Sequence, residues 1–164
     1  MNLTQCLPYL LHDFKNETDL TEAIEELSEN FTTKRESLSD YLRDPRLVSA
    51  YTAFYLTTNY PKFEAVLKWL PEAFLREIRN APFVDIGAGP GTFSLAFADW
   101  RGGSGKSIYQ IETSEVMRNQ AQKLWKGLHG ELALSQFSRV EQIEGSFALF
   151  GHSANEMGAD HTIE

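Results

Sequence analysis

The sequence predicts an α/β protein in which a helical N-terminal region leads into the opening strands of a doubly wound parallel sheet. Three observations predict it. Apolar residues recur at helical spacing as far as about residue 80. At Pro82 this pattern gives way to a short apolar run, Phe83-Val84-Asp85-Ile86, ended by glycines. Strand-like and helix-like segments then alternate, the order that a parallel sheet with crossover helices requires. The expected divisions are a helical region over residues 1–80, a half-domain over 81–150 and a polar tail over 151–164.

In the helical region, Asp19 with Glu22 three residues later resembles a capping box, and Leu20, Ile24, Leu27 and Phe31 fall on one face behind it. Asp44-Pro45 marks a second start, a side-chain acceptor followed by a proline whose missing N–H costs nothing there. Leu47, Val48, Tyr51, Phe54 and Tyr55 form the stripe of that helix. A third helix is expected from Pro61, capped by Asn59, carrying Phe63, Val66, Leu67 and Leu70 and stopped by Pro71.

Beyond Pro82, Phe83 to Ile86 reads as a buried parallel strand and Thr92 to Trp100 as a helix. Ser107 to Ile111 is a second strand. Ser114 to Leu128 is a helix with Met117, Ala121, Leu124 and Leu128 inward, and Arg139 to Glu144 is the expected third strand. No fourth strand is legible unless one begins at Ala159 to Ile163.

Composition narrows the function classes. With 42% hydrophobic and 23% charged residues the chain is globular rather than disordered. It has no apolar run long enough to cross a bilayer and no basic segment opening a signal peptide, so a cytoplasmic protein without a membrane partner is expected. Cys6 is the only cysteine, which excludes an intrachain disulfide and a cysteine-ligated metal cluster. His152, Glu156, Asp160 and His161 stand in a polar, glycine-containing setting that reads as a tail, and no metal site is expected. A net charge of −8 argues against tight, non-specific RNA binding by this chain alone. Lys34, Arg35, Arg43 and Arg46 are interleaved with Glu36, Asp40 and Asp44, the pattern of a solvated helix face.

The chemistry concentrates at Gly87-Ala88-Gly89-Pro90-Gly91. Glycines there let the backbone turn sharply from strand to helix and let a ligand approach the main chain. A dinucleotide fingerprint wants its third glycine at position 92, where this chain has Thr92. Asp85, two residues before the loop, would repel a pyrophosphate and attract a cation. Glu112 closes the second strand roughly 20 residues past the glycines, the place of an acid that accepts ribose hydroxyls. Gly102 to Ser107 imitates a phosphate-binding loop, but Trp100 stands where a glycine is required and a strand follows Lys106.

The string from Phe83 to Thr92 resembles motif I of the S-adenosylmethionine-dependent methyltransferases. That resemblance implies a Rossmann-like methyltransferase fold with S-adenosylmethionine as cofactor. It implies that Asp85 helps to hold the cofactor's cationic amino group, and that Gly87, Ala88, Gly89, Pro90 and Gly91 lie against its methionine and ribose. Glu112-Thr113-Ser114 with Met117 is similar to the stretch that packs beside the adenine. Ser146 stands where many members have an acidic or amide residue reading the adenine amino group, and so departs from the pattern. Methyl transfer asks more for positioning than for acid–base groups, so no catalytic residue is named. Asn59-Tyr60-Pro61 is neither the string nor the position of the Asn-Pro-Pro-Tyr element of other methyltransferases.

Residues 39 to 117 resemble more narrowly the methyltransferase-like family associated with the mitochondrial small ribosomal subunit and its bacterial relatives; Ser39 to Tyr51, Asn59 and the glycine loop carry the likeness. It implies a role in ribosomal RNA methylation or small-subunit assembly, with the small subunit or its RNA as partner. A non-catalytic assembly factor that retains the fold is the alternative. Some members carry a cysteine-ligated iron–sulfur cluster, which Cys6 alone does not support. A methyltransferase sheet normally has seven strands. With three legible, the chain is expected to be incomplete for catalysis on its own and to offer an uncovered sheet edge for association.

Overall fold

The computed structural model describes residues 3–33, 44–103, 107–130, 132–139 and 147–151. A 3-10 turn at Leu3–Cys6 leads into the short helix α1 (Leu7–Leu10), and a second 3-10 turn at Leu11–Asp13 precedes α2 (Glu17–Thr32). The cap of α2 is Asn16, three residues before the expected Asp19. Its side chain accepts from the Asp19 N–H at 3.0 Å, while the Asp19 carboxylate reaches back to the Lys15 N–H at 3.0 Å. This reciprocal pair satisfies two donors at the helix start, so Asp19 serves as the acidic partner inside the first turn.

Asp44 and Pro45 open α3 (Pro45–Leu67) as expected, with the Asp44 carboxylate accepting from the Arg46 N–H at 2.8 Å. The break expected at Asn59 is absent: α3 runs through Pro61 as one helix of 23 residues. Asn59 caps nothing and instead accepts from Lys62 Nζ at 2.7 Å. An interior proline removes one i→i−4 bond. Burial of Leu56, Tyr60, Phe63 and Leu67 on one continuous face outweighs that loss. The expected stripe also shifts, because Phe54 and Val66 are exposed whereas Ser49, Ala50 and Thr52 are buried. Arg46 ties α3 to α2 through Asp19, with Nε 2.8 Å from Oδ1. Helix α4 (Glu72–Asn80) completes the helical region.

The rest is a four-stranded, all-parallel sheet with helices between its strands. Strand β1 (Phe83–Ile86), helix α5 (Thr92–Trp100), strand β2 (Ile108–Ile111) and helix α6 (Glu115–His129, capped by Ser114) match the expected elements to within a residue. The third strand does not. Strand β3 is Leu134–Phe137, Arg139 lies in a bend after it, and positions 140–144 lie outside the described residues. A fourth strand, β4 (Phe147–Phe150), is present where none was expected, so among the described residues the sheet has four strands and not three. The positions 159–163 considered for a fourth strand, and the tail from 152, also lie outside the described residues.

Strand order is β3-β2-β1-β4, with Phe83 opposite both Ile108 and Phe147. The chain therefore moves outwards from β1 to β3 and then returns to the other side of β1. In open parallel sheets, ligands bind outside the carboxyl ends of the strands near such a reversal. The largest core cluster draws on both parts of the chain: Cys6, Leu10, Leu56, Tyr60, Phe63 and Leu67 pack with Phe83, Leu95, Phe97 and Leu124. Phe83 stacks on Phe97 with ring centroids 4.1 Å apart. Tyr60 donates its hydroxyl to Asp99, joining α3 to α5. A smaller cluster of Val84, Ile86 and Ile111 occupies the opposite sheet face. Among the described residues no helix is long and apolar enough to cross a membrane.

Candidate functional site

The carboxyl ends of β1 and β2 bring the glycine loop, Asp85 and Glu112 together. Gly87, Gly89 and Gly91 all have positive φ, at 68°, 53° and 84°. At Gly91 a side chain is also crowded, since an added Cβ would stand 2.5 Å from Gln110 Nε2 and push that amide aside. At Gly89 an added Cβ would meet nothing within 4 Å, so the loop is open on that side. The turn is pinned to β2: the Gly87 and Ala88 N–H groups both donate to the Ile111 carbonyl, at 2.8 and 3.1 Å. Ala88 and Pro90 are buried beneath it.

Asp85 lies under the loop. It is 1% exposed, and its Oδ2 accepts from the Ser94 N–H at 3.0 Å and the Ser94 hydroxyl at 2.7 Å. Ser94 is the third residue of α5, whose cap, Gly91, has no side chain to offer. A strand residue thus supplies the acceptor that a helix start needs. Its other oxygen, Oδ1, is buried without a hydrogen-bond partner. Burial pushes the carboxyl up to about 6; the two Ser94 bonds pull the other way, and the nearby Glu112 charge adds a small upward push.

Glu112 bridges two turns. Its Oε2 accepts from the Gly89 N–H at 2.8 Å and its Oε1 from the Ser114 N–H at 2.8 Å. One carboxylate therefore holds the glycine loop against the start of α6. Thr113 is exposed beside it, with Oγ1 3.5 Å from Glu112 Oε1. Met117 is buried on the inner face of α6, and its N–H donates to the capping Ser114 hydroxyl at 3.3 Å. Of the residues expected from the sequence, Asp85, Gly87 to Gly91, Glu112, Thr113 and Met117 thus lie around one strand–turn–helix junction and its neighbour. Ser146 lies outside the described residues. The turn after α5 holds Gly102 and Gly103 at positive φ, while positions 104–106 of the imitation phosphate loop are outside the described residues.

Several supporting residues were not anticipated. Ser94 holds Asp85. Arg118 donates through Nη1 to the carbonyls of Glu112 and Thr113, at 2.6 and 2.9 Å. Gln110, 1% exposed, lies beside Asp85 in the register and accepts from Gln136 Nε2 at 2.9 Å. A polar row Asp85–Gln110–Gln136 therefore crosses three strands at one level. The signal for Gln110 was present as a single amide inside the apolar run Ile108 to Ile111. The histidine and acidic positions of the tail are outside the described residues, and no cluster suited to a metal ion occurs among the described ones. No protein-family model matches the chain, nor does any curated protein or solved structure.

Proposed function

We propose that this chain binds S-adenosylmethionine at the carboxyl ends of β1 and β2, as the cofactor-binding part of a Rossmann-like methyltransferase-like protein acting on small-subunit ribosomal RNA. The observation that carries the cofactor is Asp85 Oδ1, a buried carboxylate oxygen with no donor, behind a glycine loop open at Gly89. Leaving such an atom unsatisfied costs about 1–3 kcal/mol or more. A cationic amino group supplies the missing donor and the opposite charge together; a pyrophosphate supplies neither. Glu112, at the end of the neighbouring strand, has the acceptor oxygens that ribose hydroxyls need. The parallel order β3-β2-β1-β4 supports the same placement. The RNA acceptor rests on the resemblance of residues 39 to 117.

In this reading Asp85 holds the amino group, Gly87 to Gly91 leave room for the methionine and ribose portions, and Glu112 and Thr113 face the ribose. Met117 stiffens the start of α6 beside the adenine. When bound, the cofactor supplies an electrophilic methyl group on its sulfonium. The protein's task is to orient it and to keep the loop rigid, which Arg118 and Gln110 serve from behind.

Calorimetry with S-adenosylmethionine and with its demethylated product tests the reading, with saturable binding as the expected result. Gly89→Val puts a branched side chain into the open space over the loop and also strains a backbone at φ 53°, so it abolishes that binding at some cost in stability, and circular dichroism identifies the fraction that is folded. A folded Gly89→Val protein that binds like the parent would show that the ligand site lies elsewhere. Transfer of a labelled methyl group to small-subunit RNA then separates an enzyme from an assembly factor that only retains the cofactor.

A further inference from the structure

We propose a second ligand site, independent of the cofactor reading, in the cleft between the start of α3 and the outer face of α6, and assign to it a nucleoside phosphate unit. The cleft is a groove open to solvent along one side, with a volume of about 600 Å³. Pro45 and Val48 line it from α3, and Val116, Gln120, Lys123 and Lys126 from α6. Positions 116, 120 and 123 follow one another along a single helix face, so the α6 wall is a continuous stripe.

Gln120 makes the cleft more than a surface groove. It is 3% exposed, and its Nε2 is buried with no acceptor in reach. Buried amide nitrogens are nearly always satisfied, and one left bare is costly. The missing partner is an acceptor atom.

Lys123 and Lys126 are exposed on the same stripe, and among the described residues that line the cleft none is acidic. In a chain of net charge −8 this is a local reversal of sign. The nearest N-terminal carboxylate on α3, Asp44, is turned onto its own helix start by the Arg46 N–H. Two ammonium groups suit phosphate oxygens. Pro45 and the half-buried Val116 offer apolar contact to a flat ring, and a small turn of the Gln120 side chain would bring its unsatisfied amide to an acceptor on that ring's edge. Phosphate, flat ring and edge acceptor together describe a nucleotide. Its source is either a free mononucleotide or a nucleotide within an RNA strand.

Fluorescence anisotropy and calorimetry at low salt, with adenosine and uridine 5′-monophosphate and with a short single-stranded RNA as probes, test the assignment. Lys123→Gln combined with Lys126→Gln changes only exposed side chains and is expected to weaken binding about tenfold or more. Gln120→Leu fills the same space without the bare donor and weakens it too, with no loss of thermal stability. Equal affinity for mononucleotide and RNA identifies the free nucleotide as the ligand. Much tighter RNA binding with a steep salt dependence identifies the strand. Absence of binding by any probe overturns the proposal. So does binding that survives the double lysine variant but is lost in Gly89→Val, since the nucleotide would then occupy the glycine-loop site. S-adenosylmethionine affinity is unchanged in the lysine variant, so failure here and failure of the cofactor reading are separately visible.

Discussion

Asp85 does two jobs with its two oxygens, and they have opposite consequences for stability. Oδ2 caps α5 through Ser94, whereas Oδ1 is buried without a donor. The carboxyl lies at about 6, above its ordinary 3.8. The native state therefore binds this proton more tightly than the unfolded chain does. Stability from this group is fully present below about pH 4 and declines as pH rises through about 6. At about 1.4 kcal/mol per pH unit, the ionised native protein is about 3 kcal/mol less stable at neutral pH than a protein with a neutral group there. Asp85→Asn keeps an acceptor for Ser94 and removes the charge. It should raise the thermal midpoint at pH 7 and flatten the stability profile between pH 4 and 6, while weakening S-adenosylmethionine binding. A binding cation would hold Asp85 ionised, so affinity in the parent protein should fall as pH drops below about 6. An Asp85→Asn protein that is less stable at pH 7 yet binds the cofactor unchanged would reduce Asp85 to a helix cap.

At the scale of the element, α3 sets the sharpest contrast between local rule and outcome. Pro61 reads as a helix start, yet α3 passes through it because Tyr60, Phe63 and Leu67 must reach the same core as Leu56. Pro61→Ala restores the missing backbone donor and should stabilise the protein by about 1–3 kcal/mol, a fraction of what an interior proline costs. A neutral or destabilising effect in denaturant titration would show that the ring's packing outweighs the lost bond. The same contrast explains which elements were legible. Strand β1, α5, β2 and α6 carry strong local signals: an apolar run, a glycine triplet, Ser114 at a cap and an inward face of Met117, Ala121 and Leu124. Strand β3 carries almost none, because Ser135 and Gln136 interrupt its four residues, and the amide is explained only by its bonds to Gln110 Oε1 and the Arg118 carbonyl. Strand β4 was hidden behind the strand expected at 139–144. In the candidate site, Asp85 and the glycines were legible because their chemistry lies in one short string, and Glu112 because it ends a strand at a telling distance from that string. Ser94, Arg118 and Gln136 were not, since each acts across a distance that only the folded chain closes.

At the scale of the molecule, the N-terminal helices and the sheet share one core. Leu10, Leu56, Tyr60 and Phe63 pack in the cluster that contains Phe83 and Phe97, and Phe97 contacts Phe63 with ring centroids 6.1 Å apart. Phe97→Ala should cost about 3–5 kcal/mol. Helix loss by far-ultraviolet dichroism and tertiary loss by near-ultraviolet dichroism should coincide in the parent protein. Two separated transitions would mean that the helical region folds by itself and that the shared cluster contributes little. The strand order also shapes how the protein is made. Strand β1 receives β2 on one side early, but its other neighbour, starting at Phe147, is synthesised only after α5, β2, α6 and β3. Until that segment leaves the ribosome, β1 carries an open ladder on an apolar strand, a state prone to mispairing. Nascent chains stalled before position 147 should therefore engage chaperones or aggregate, and release should come abruptly once β4 can cover β1.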